Sequence, residues 1–337
     1  MMIKIPIVFA FSNEYAVPGW ISIASLVNTA KNEVIYLIHV LHDGLDKYHK
    51  RNIFKRIKKT RHEVFFNDIS DYLSSSDKIY LNQNWPKILY ARLFVTDFFP
   101  NYKKIIVSDV DILFKKDLSE IFLNDLSEYH YGLVPVENRI QSNIGHKRYE
   151  FYNNDYIYYS GFVIYNTERM KNDKICERFK ESLNKYKNIL KNDMTDLIIL
   201  NMCSNLIFNI PLNYCVLESL LIKKNVKDIS EYNFLSQLYK DDDLEKFRND
   251  PAIIHYTGHG EHRERPWKRI SPPKEYLKYI NESPYKFEWV ADRNLKKFLR
   301  SNDYLLNLSN SRIYKRSLES IFSYISLIIA RFFCRKN

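Results

Sequence analysis

Short apolar runs rich in β-branched residues alternate with helix-like segments along the N-terminal third of the chain. Runs of this kind predict buried strands, and the longer amphipathic segments between them predict helices. The predicted strands are 5–11, 33–41, 62–66 and 105–107, and the predicted helices are 20–29, 47–60 and 86–98. Alternating strands and helices predict βαβ units and a largely parallel sheet, so the expected fold class is α/β.

A second group of predicted elements follows further along the chain. Residues 155–166 predict a strand interrupted at Gly161, and a glycine inside a strand often marks the close approach of another group. The remaining elements are predicted helices at 168–190 and 193–203 and a short predicted strand at 252–256. The Ser271-Pro272-Pro273 break predicts a boundary between a domain of residues 1–270 and a C-terminal extension of residues 271–337.

Two aspartates end the apolar run that begins at Lys103. Side chains alternate along a strand, so Asp109 and Asp111 are expected to point the same way. Two carboxylates beside buried apolar residues are costly unless a cation pairs with them. In open α/β sheets ligands bind beyond the carboxyl ends of strands, which favours a Mg²⁺ or Mn²⁺ site. The alternative is that both aspartates only end the strand and cap the next turn.

Composition is that of a packed globular protein. The chain has 337 residues, 15% aromatic residues and only 7 glycines, which argues against disorder. The 4 cysteines are scattered without a C-x-x-C pair, so we predict inert core thiols rather than disulfides or zinc ligands. No secretory signal is evident, and a cytoplasmic location is expected.

The net charge of +11 is gathered at the C-terminal end. Residues 263–337 carry 17 Lys and Arg against 7 Asp and Glu, so residues 1–262 are close to neutral. Within the extension, apolar residues at helical spacing form one face between Leu318 and Phe332, flanked by basic residues. The apolar run is too short to span a bilayer and fits a helix lying on an anionic membrane surface. A helix docked on the catalytic domain is the alternative.

Several motifs occur in a fixed order around the aspartate pair. They are Tyr90-Ala91-Arg92, the Asp109-Val110-Asp111 triplet, Asp117-Leu118-Ser119-Glu120, His255-Tyr256-Thr257-Gly258 and Pro266-Trp267. In this combination the chain resembles glycosyltransferase family 8, a family of retaining enzymes that includes bacterial lipopolysaccharide galactosyl- and glucosyltransferases. The resemblance covers residues 3–267. It implies a GT-A fold, a Rossmann-like mixed sheet flanked by helices and fused to a second small sheet.

The resemblance also implies roles for individual residues. The expected metal ligands, with Mn²⁺ as the usual ion and Mg²⁺ as the alternative, are Asp109, Asp111 and His255. The expected contacts to a UDP-sugar donor are Ala10, Phe11, Ser12, Tyr15, Arg92, Asp109, Val110, Gly258 and Arg265. The expected catalytic residues are Arg92, Asp196 and, as a sugar or acceptor contact, Glu137, for which a solvated loop glutamate is the alternative. An arginine fork suits a diphosphate, a tyrosine ring can stack on a base, and a glycine lets backbone N–H groups approach a phosphate.

The chain departs from the family pattern at several positions. Ser12 stands where the family usually has an aspartate, and Glu14 stands where it has an asparagine. Tyr159 replaces the asparagine of an Asn-Ala-Gly segment, and Leu197 replaces the glutamine that some mechanisms place under the anomeric carbon. Leucine has no lone pair with which to attack a sugar, so the departure favours a front-face reaction.

The expected function is therefore metal-dependent transfer of glucose or galactose from a UDP-sugar. A lipid-linked cell-envelope oligosaccharide is the expected acceptor, reached from the inner face of the cytoplasmic membrane, and no nucleic-acid partner is expected. One alternative is a nucleotidyltransferase, which the absence of glycine from residues 9–15 disfavours. The other is an inactive basic protein that binds membranes or nucleic acid. The sequence leaves the oligomeric state open.

Overall fold

The fold is an α/β arrangement of two sheets and surrounding helices, seen in a computed structural model. The structure describes residues 2–75, 86–139, 155–190, 195–257 and 264–300. Two compact units, residues 1–262 and 263–337, divide the chain. The predicted helix between Leu318 and Phe332 lies outside the described residues, and the assignment of a catalytic domain to residues 1–270 stays a prediction.

The predicted strands occur in the predicted order, together with four that the sequence did not predict, at residues 112–114, 131–138, 207–209 and 216–217. The strands are β1 (Ile3–Ala10), β2 (Val34–His42), β3 (Glu63–Asp68), β4 (Lys104–Ser108), β5 (Ile112–Phe114), β6 (Tyr131–Asn138), β7 (Tyr156–Asn166), β8 (Ile207–Asn209), β9 (Val216–Leu217) and β10 (Ile253–His255). The α-helices are α1 (Ala16–Thr29), α2 (Lys47–Ile57), α3 (Ser70–Ser75), α4 (Val95–Phe98), α5 (Ser119–Phe122), α6 (Thr167–Asn172), α7 (Ile175–Lys185), α8 (Lys187–Leu190), α9 (Thr195–Cys203), α10 (Glu218–Ile222), α11 (Tyr232–Leu235), α12 (Asp241–Asn249), α13 (Lys274–Glu282) and α14 (Lys286–Arg300). Short 3₁₀ helices cover Asn13–Tyr15, Lys87–Phe94, Leu212–Tyr214, Val226–Asp228 and Pro266–Lys268.

The larger sheet is mixed. Its 7 strands lie in the order β3-β2-β1-β4-β7-β6-β8. The first four are mutually parallel, as the βαβ pattern predicts, and β7 is antiparallel to both β4 and β6. The apolar runs of β1 and β4 are buried because both are central strands covered on both faces.

The smaller sheet carries one half of the candidate site. Its order is β5-β10-β9, with β10 antiparallel to β5 and parallel to β9. Strand β5 follows β4 after only the Asp109-Val110-Asp111 triplet, so the chain passes directly from the large sheet to the small one at the aspartates.

Three predicted elements differ from those observed. Residues 155–166 do not form an interrupted strand, because β7 runs continuously through Gly161. Residues 86–98 do not form one α-helix: an 8-residue 3₁₀ helix, unusually long for that form, precedes the short α4. Residues 168–190 form α6, α7 and α8 rather than one helix, because Lys174 adopts a left-handed conformation with φ of 53°.

The Asp117 carboxylate joins the loop after β5 to the rest of the sheet. Asp117 is 8% exposed. It accepts hydrogen bonds from the Lys31 amide (3.0 Å), the Tyr36 hydroxyl (3.0 Å) and the Ser119 amide (2.8 Å). Burial raises the pKa of Tyr36 far above its ordinary value, and the nearby Asp117 charge raises it further, so the hydroxyl stays a donor. This motif aspartate therefore has a structural role.

Replacing Asp117 with alanine should destabilise the first unit by about 3 kcal/mol, because it leaves buried donors without an acceptor. Urea unfolding monitored by circular dichroism measures this loss. The matched control is Asp125→Ala, since Asp125 accepts from Ser127 in an exposed turn. We expect the control to cost under about 1 kcal/mol, and equal losses in the two variants would contradict the assigned role.

Candidate active site

Asp109 and Asp111 lie in the connection between β4 and β5, beyond the carboxyl end of β4, as predicted. The Asp109 amide donates to the Gly161 carbonyl (2.8 Å), which continues the β4–β7 pairing by one residue. The Asp111 carbonyl accepts from the Tyr256 amide (2.8 Å), which continues the β5–β10 pairing. Each aspartate is thus fixed by a different sheet. Their side chains converge, as predicted, although strand alternation is not the reason.

The pairing of β10 with β5 brings His255 to the aspartates. In the antiparallel register His255 lies opposite Ile112, the residue that follows Asp111. The His255 Nε2 atom is 3.2 Å from Asp111 Oδ1 and 3.5 Å from Asp109 Oδ2. The predicted trio of Asp109, Asp111 and His255 therefore forms one cluster, in which His255 is 144 residues from Asp111 along the chain.

Gly161 leaves the space that the His255 ring occupies. A Cβ atom at this position would lie 2.4 Å from His255 Cε1 and 3.0 Å from Asp109 Oδ2. Real Cβ atoms do not approach other atoms so closely, so only glycine fits here with the ring in place. The predicted close approach at Gly161 is confirmed, and its partner is the candidate metal-ligating histidine.

Arg92 contacts the cluster of Asp109, Asp111 and His255 and neutralises part of the negative charge of the two aspartates. One terminal nitrogen of the guanidinium, Nη1, contacts Asp109, and the other, Nη2, contacts the Ser160 carbonyl. Nη2 also lies 3.3 Å from Asp196 Oδ2. Arg92 is 5% exposed, and its Nε atom has no hydrogen-bond partner among the described residues. The predicted catalytic pair of Arg92 and Asp196 thus lies beside the predicted metal ligands.

A buried asparagine holds helix α9, and with it Asp196, against the large sheet. The Asn201 side chain accepts from the Tyr158 amide (2.8 Å) and donates to the Tyr158 carbonyl (3.0 Å). This pair of bonds fixes α9 on the backbone of β7 and so sets the distance from Asp196 to Arg92. Leu197, next to Asp196, packs partly buried against the core.

Without a bound metal, the negative charges of Asp109 and Asp111 are balanced by Arg92 and by protons. Burial raises the pKa of Asp109 to about 6, although Arg92 acts to lower it. Burial alone would lower the pKa of His255, but Asp111 raises it well above its ordinary value, partly through a hydrogen bond. His255 is therefore an imidazolium between two carboxylates when no metal is bound.

The cluster fits a divalent cation. One donor atom from each of Asp109, Asp111 and His255 can be chosen so that all lie within 4.8 Å of one another. Two carboxylate oxygens and an imidazole nitrogen suit Mn²⁺, and positions that the protein leaves open suit phosphate oxygens. The same three residues also carry the protons that a cation would replace.

Cys215 contacts the far side of the histidine, which the sequence did not indicate. Its Sγ atom is 3.5 Å from His255 Nδ1. Cys215 is fully buried and directly precedes the first residue of β9. One ring nitrogen therefore faces the carboxylates and the other faces the thiol. Cys215 is buried and forms no disulfide, as predicted for a core thiol, and its contact with Nδ1 would also fix the orientation of the histidine ring. The pairing of β9 with β10 creates the contact, and nothing in the spacing of cysteines reveals it.

The predicted nucleotide-binding residues lie at and after the end of β1. Ala10 and Phe11 are buried, and the Phe11 ring packs so closely on α1 that a Cβ on Gly19 would meet it at 2.7 Å. Ser12 precedes the 3₁₀ turn Asn13–Tyr15, and its carbonyl accepts from the Tyr15 amide (3.1 Å). Tyr15 is 36% exposed, as a residue that stacks on a ligand would be. The uridine contacts themselves stay predictions.

The other predicted site residues are placed as follows. Val110 is 8% exposed between the two aspartates. Glu137 is 6% exposed at the end of β6, so it is not the solvated loop residue of the alternative interpretation. Burial raises the pKa of Tyr159 above its ordinary value, and the negative charge of the nearby Glu137 raises it further. Gly258 lies outside the described residues, and Arg265 belongs to the second unit, so their roles stay predictions.

Comparison with known proteins establishes the family. A model of glycosyl transferase family 8 matches residues 6–271. The chain belongs to glycosyltransferase family 8. A Haemophilus influenzae protein named as a candidate glycosyltransferase is 26% identical over 236 residues, which is 65% of this chain and 66% of that protein. The chain thus spans slightly less than two thirds of that relative.

Solved structures of several glycosyltransferases share the architecture. The bifunctional glycosyltransferase WbbM gives a TM-score of 0.65 at 18% identity, with 86% of this chain and 51% of WbbM covered. The galactosyltransferase LgtC, solved with donor and acceptor sugar analogues, gives 0.64 at 17% identity, with 83% and 96% covered. The glycosyltransferase GlyE of Streptococcus pneumoniae gives 0.53 at 16% identity, with 88% and 64% covered. These similarities confirm the predicted GT-A fold.

In the part of the chain that the structure describes, no helix has the length and apolar character that crossing a bilayer requires.

We expect Gly161→Ala to weaken Mn²⁺ binding by at least about tenfold, because the added methyl group forces His255 away from the aspartates. Calorimetric titration of Mn²⁺ into the metal-free protein measures the change. Gly132→Ala on the neighbouring strand is the control, since its Cβ would meet the Ile210 side chain at 3.2 Å and the Phe208 ring at 3.4 Å, both away from the cluster. Unchanged Mn²⁺ affinity in Gly161→Ala would contradict the assigned position of His255.

Metal binding should release protons, because His255 is protonated in the metal-free state and Asp109, whose pKa burial raises to about 6, becomes protonated as the pH falls toward that value. Protons compete with the cation at both residues, so lowering the pH toward about 6 weakens Mn²⁺ binding and raising the pH strengthens it. Titrations in two buffers of different ionisation enthalpy count the protons released. An affinity independent of pH between about 6 and 8 would show that the carboxylates and His255 do not bind the ion.

Proposed function

We propose that this family 8 glycosyltransferase moves a hexose, glucose or galactose, from a UDP-sugar to a lipid-linked oligosaccharide of the cell envelope. The observation that carries the proposal is the cluster of Asp109, Asp111 and His255, with Arg92 paired to it from behind. Such a cluster can hold a divalent cation with positions open to a diphosphate. The galactosyltransferase with donor and acceptor sugar analogues, which shares the fold, supports the choice of sugar.

The donor site would be assembled from both sheets. Asp109, Asp111 and His255 would hold Mn²⁺, which when bound neutralises charge on the diphosphate leaving group. Arg92 would supply a second fixed positive charge that needs no reorganisation during the reaction. Asp196 contacts the Arg92 guanidinium, and this contact would keep the arginine oriented as the sugar departs.

The residues around Asp196 favour a front-face reaction. Leu197 follows Asp196 and packs partly against the core, and its side chain has no lone pair for a covalent sugar intermediate. The bond between the anomeric carbon and the diphosphate oxygen would break as the acceptor oxygen bonds to the same face, so configuration is retained. The acceptor hydroxyl proton would pass to the departing phosphate oxygen. Arg92 would stabilise the charge that develops on that phosphate.

The acceptor assignment rests on chemistry outside the cluster. The basic C-terminal segment, with 17 Lys and Arg between residues 263 and 337, would hold the enzyme on an anionic membrane. A lipid-linked acceptor on the inner face of the cytoplasmic membrane would then be within reach.

The decisive assay is UDP release from a panel of UDP-sugars, with Mn²⁺ and with chelator, before any acceptor is supplied. We expect slow, metal-dependent hydrolysis of a UDP-hexose, which would identify the donor. Asp111→Asn should lower this rate by at least about 100-fold, because it removes one charged ligand while keeping the shape of the side chain. Asp125→Asn, in an exposed turn, is the matched control and should retain full activity. Chelator-resistant turnover, or full activity of Asp111→Asn, would exclude the metal-dependent mechanism.

A further inference from the structure

The first unit carries a concentrated patch of positive charge that the transferase site does not use. Residues 47–61 contain 8 Lys and Arg and no Asp or Glu. Residues 1–262 as a whole have a net charge of +1, so the rest of this unit is net negative. Like charges gathered in one segment repel one another, and an anionic partner would relieve that repulsion.

Helix α2, which forms most of this segment, has two distinct faces. Its inner face is buried on the unit through Asn52, Ile53 and Ile57. Its outer face exposes cations along its whole length and into the turn that follows, at Lys47, Arg51, Lys55, Lys58, Lys59 and Arg61. The helix is thus fixed to the fold by one side and presents its charge on the other.

Two aromatic rings lie among these cations. Tyr48 is 49% exposed and Phe54 is 52% exposed, and both are among the most exposed large apolar side chains of the described residues. Burying exposed rings is favourable, so rings among cations suit a ligand with apolar as well as anionic character.

An anionic bilayer surface has this combination. Headgroups attract lysine and arginine, while aromatic rings settle at the boundary between headgroups and acyl chains. A nucleic-acid duplex would satisfy the cations but would leave the rings against hydrated phosphates, because its bases are stacked inside. We propose that the outer face of α2, defined by Tyr48, Arg51, Phe54, Lys55 and Lys58, docks on an anionic lipid surface.

The position of α2 makes this contact useful to the enzyme. The helix starts just after β2, at the same carboxyl edge of the parallel strands as the predicted nucleotide loop. The Asp46 amide, immediately before α2, donates to Asn13 Oδ1 of that loop (2.9 Å). A bilayer seated on α2 therefore lies next to the loop after β1. This surface is separate from the C-terminal segment, and its existence does not depend on the proposed reaction.

The test measures binding of the full chain to vesicles without donor or metal. Vesicles of phosphatidylcholine with phosphatidylglycerol are compared with vesicles of phosphatidylcholine alone, by co-sedimentation. The variant Arg51→Gln, Lys55→Gln, Lys58→Gln should bind the anionic vesicles about 100-fold more weakly, given the usual contribution of each cation. The control variant Lys187→Gln, Lys224→Gln, Lys240→Gln removes the same charge from exposed positions elsewhere in the unit and should bind within about threefold of the parent.

A second pair of variants tests the rings. Tyr48→Ser with Phe54→Ser should weaken vesicle binding by about tenfold and leave a residual affinity that salt abolishes. Leu123→Ser, which removes another apolar side chain that is 61% exposed, is its control and should bind as the parent does. Thermal unfolding of all variants checks that α2 remains folded.

The binding results distinguish the outer face of α2 from the C-terminal segment as the membrane-binding surface. If the α2 charge variant binds vesicles as well as its control, the C-terminal segment or another surface carries all membrane binding and the proposal is wrong. If the same variant loses affinity for a duplex oligonucleotide but keeps its affinity for vesicles, the face binds nucleic acid and the proposal is again overturned. Loss of vesicle binding with UDP release intact supports the proposal, and it does so whichever sugar the enzyme uses.

Discussion

The burial of two carboxylates where the large sheet meets the small one is the constraint on which the rest of this site depends. Asp109 and Asp111 follow a strand that is covered on both faces, and their largely buried charges require nearby cations. The fold supplies Arg92 on one side and a protonated His255 on the other. A divalent ion can replace the protons while Arg92 remains paired, so the same arrangement is stable before and after metal binds.

Most other features of the site serve to hold this charge balance in place. Pairing of β5 with β10 sets the distance from His255 to Asp111, and Gly161 leaves room for the imidazole ring. Asn201 fixes α9 on β7, so Asp196 completes the shell around Arg92. Cys215 occupies the remaining nitrogen of the histidine. These contacts come from strands of both sheets and from helix α9, so the site is complete only where the two sheets meet.

Family membership and the departures from the family pattern together shape the proposed chemistry. The shared fold and the metal cluster point to transfer from a nucleotide sugar, and Leu197 favours a reaction that needs no protein nucleophile. The outer face of α2 adds a physical reason for the enzyme to work at a surface rather than in bulk solution. Charge and exposed rings on that face lie close to the loop expected to hold the nucleotide.

The sequence by itself determined the α/β class, the first four parallel strands with the helices between them, and the pair of Asp109 and Asp111, because apolar periodicity is a local property of the chain. The third member of the trio, His255, followed from the resemblance to a family whose motifs occur in the same order. Only the tertiary structure decided that the aspartates lie between two sheets, that Arg92 reaches both Asp109 and Asp196, and that Cys215 contacts His255. The predicted helix 168–190 is interrupted at the left-handed Lys174, next to Asp173, whose carboxylate contacts the buried His130 from a distant segment. Contacts between residues far apart in sequence depend on strand register, and periodicity carries no information about register across such distances.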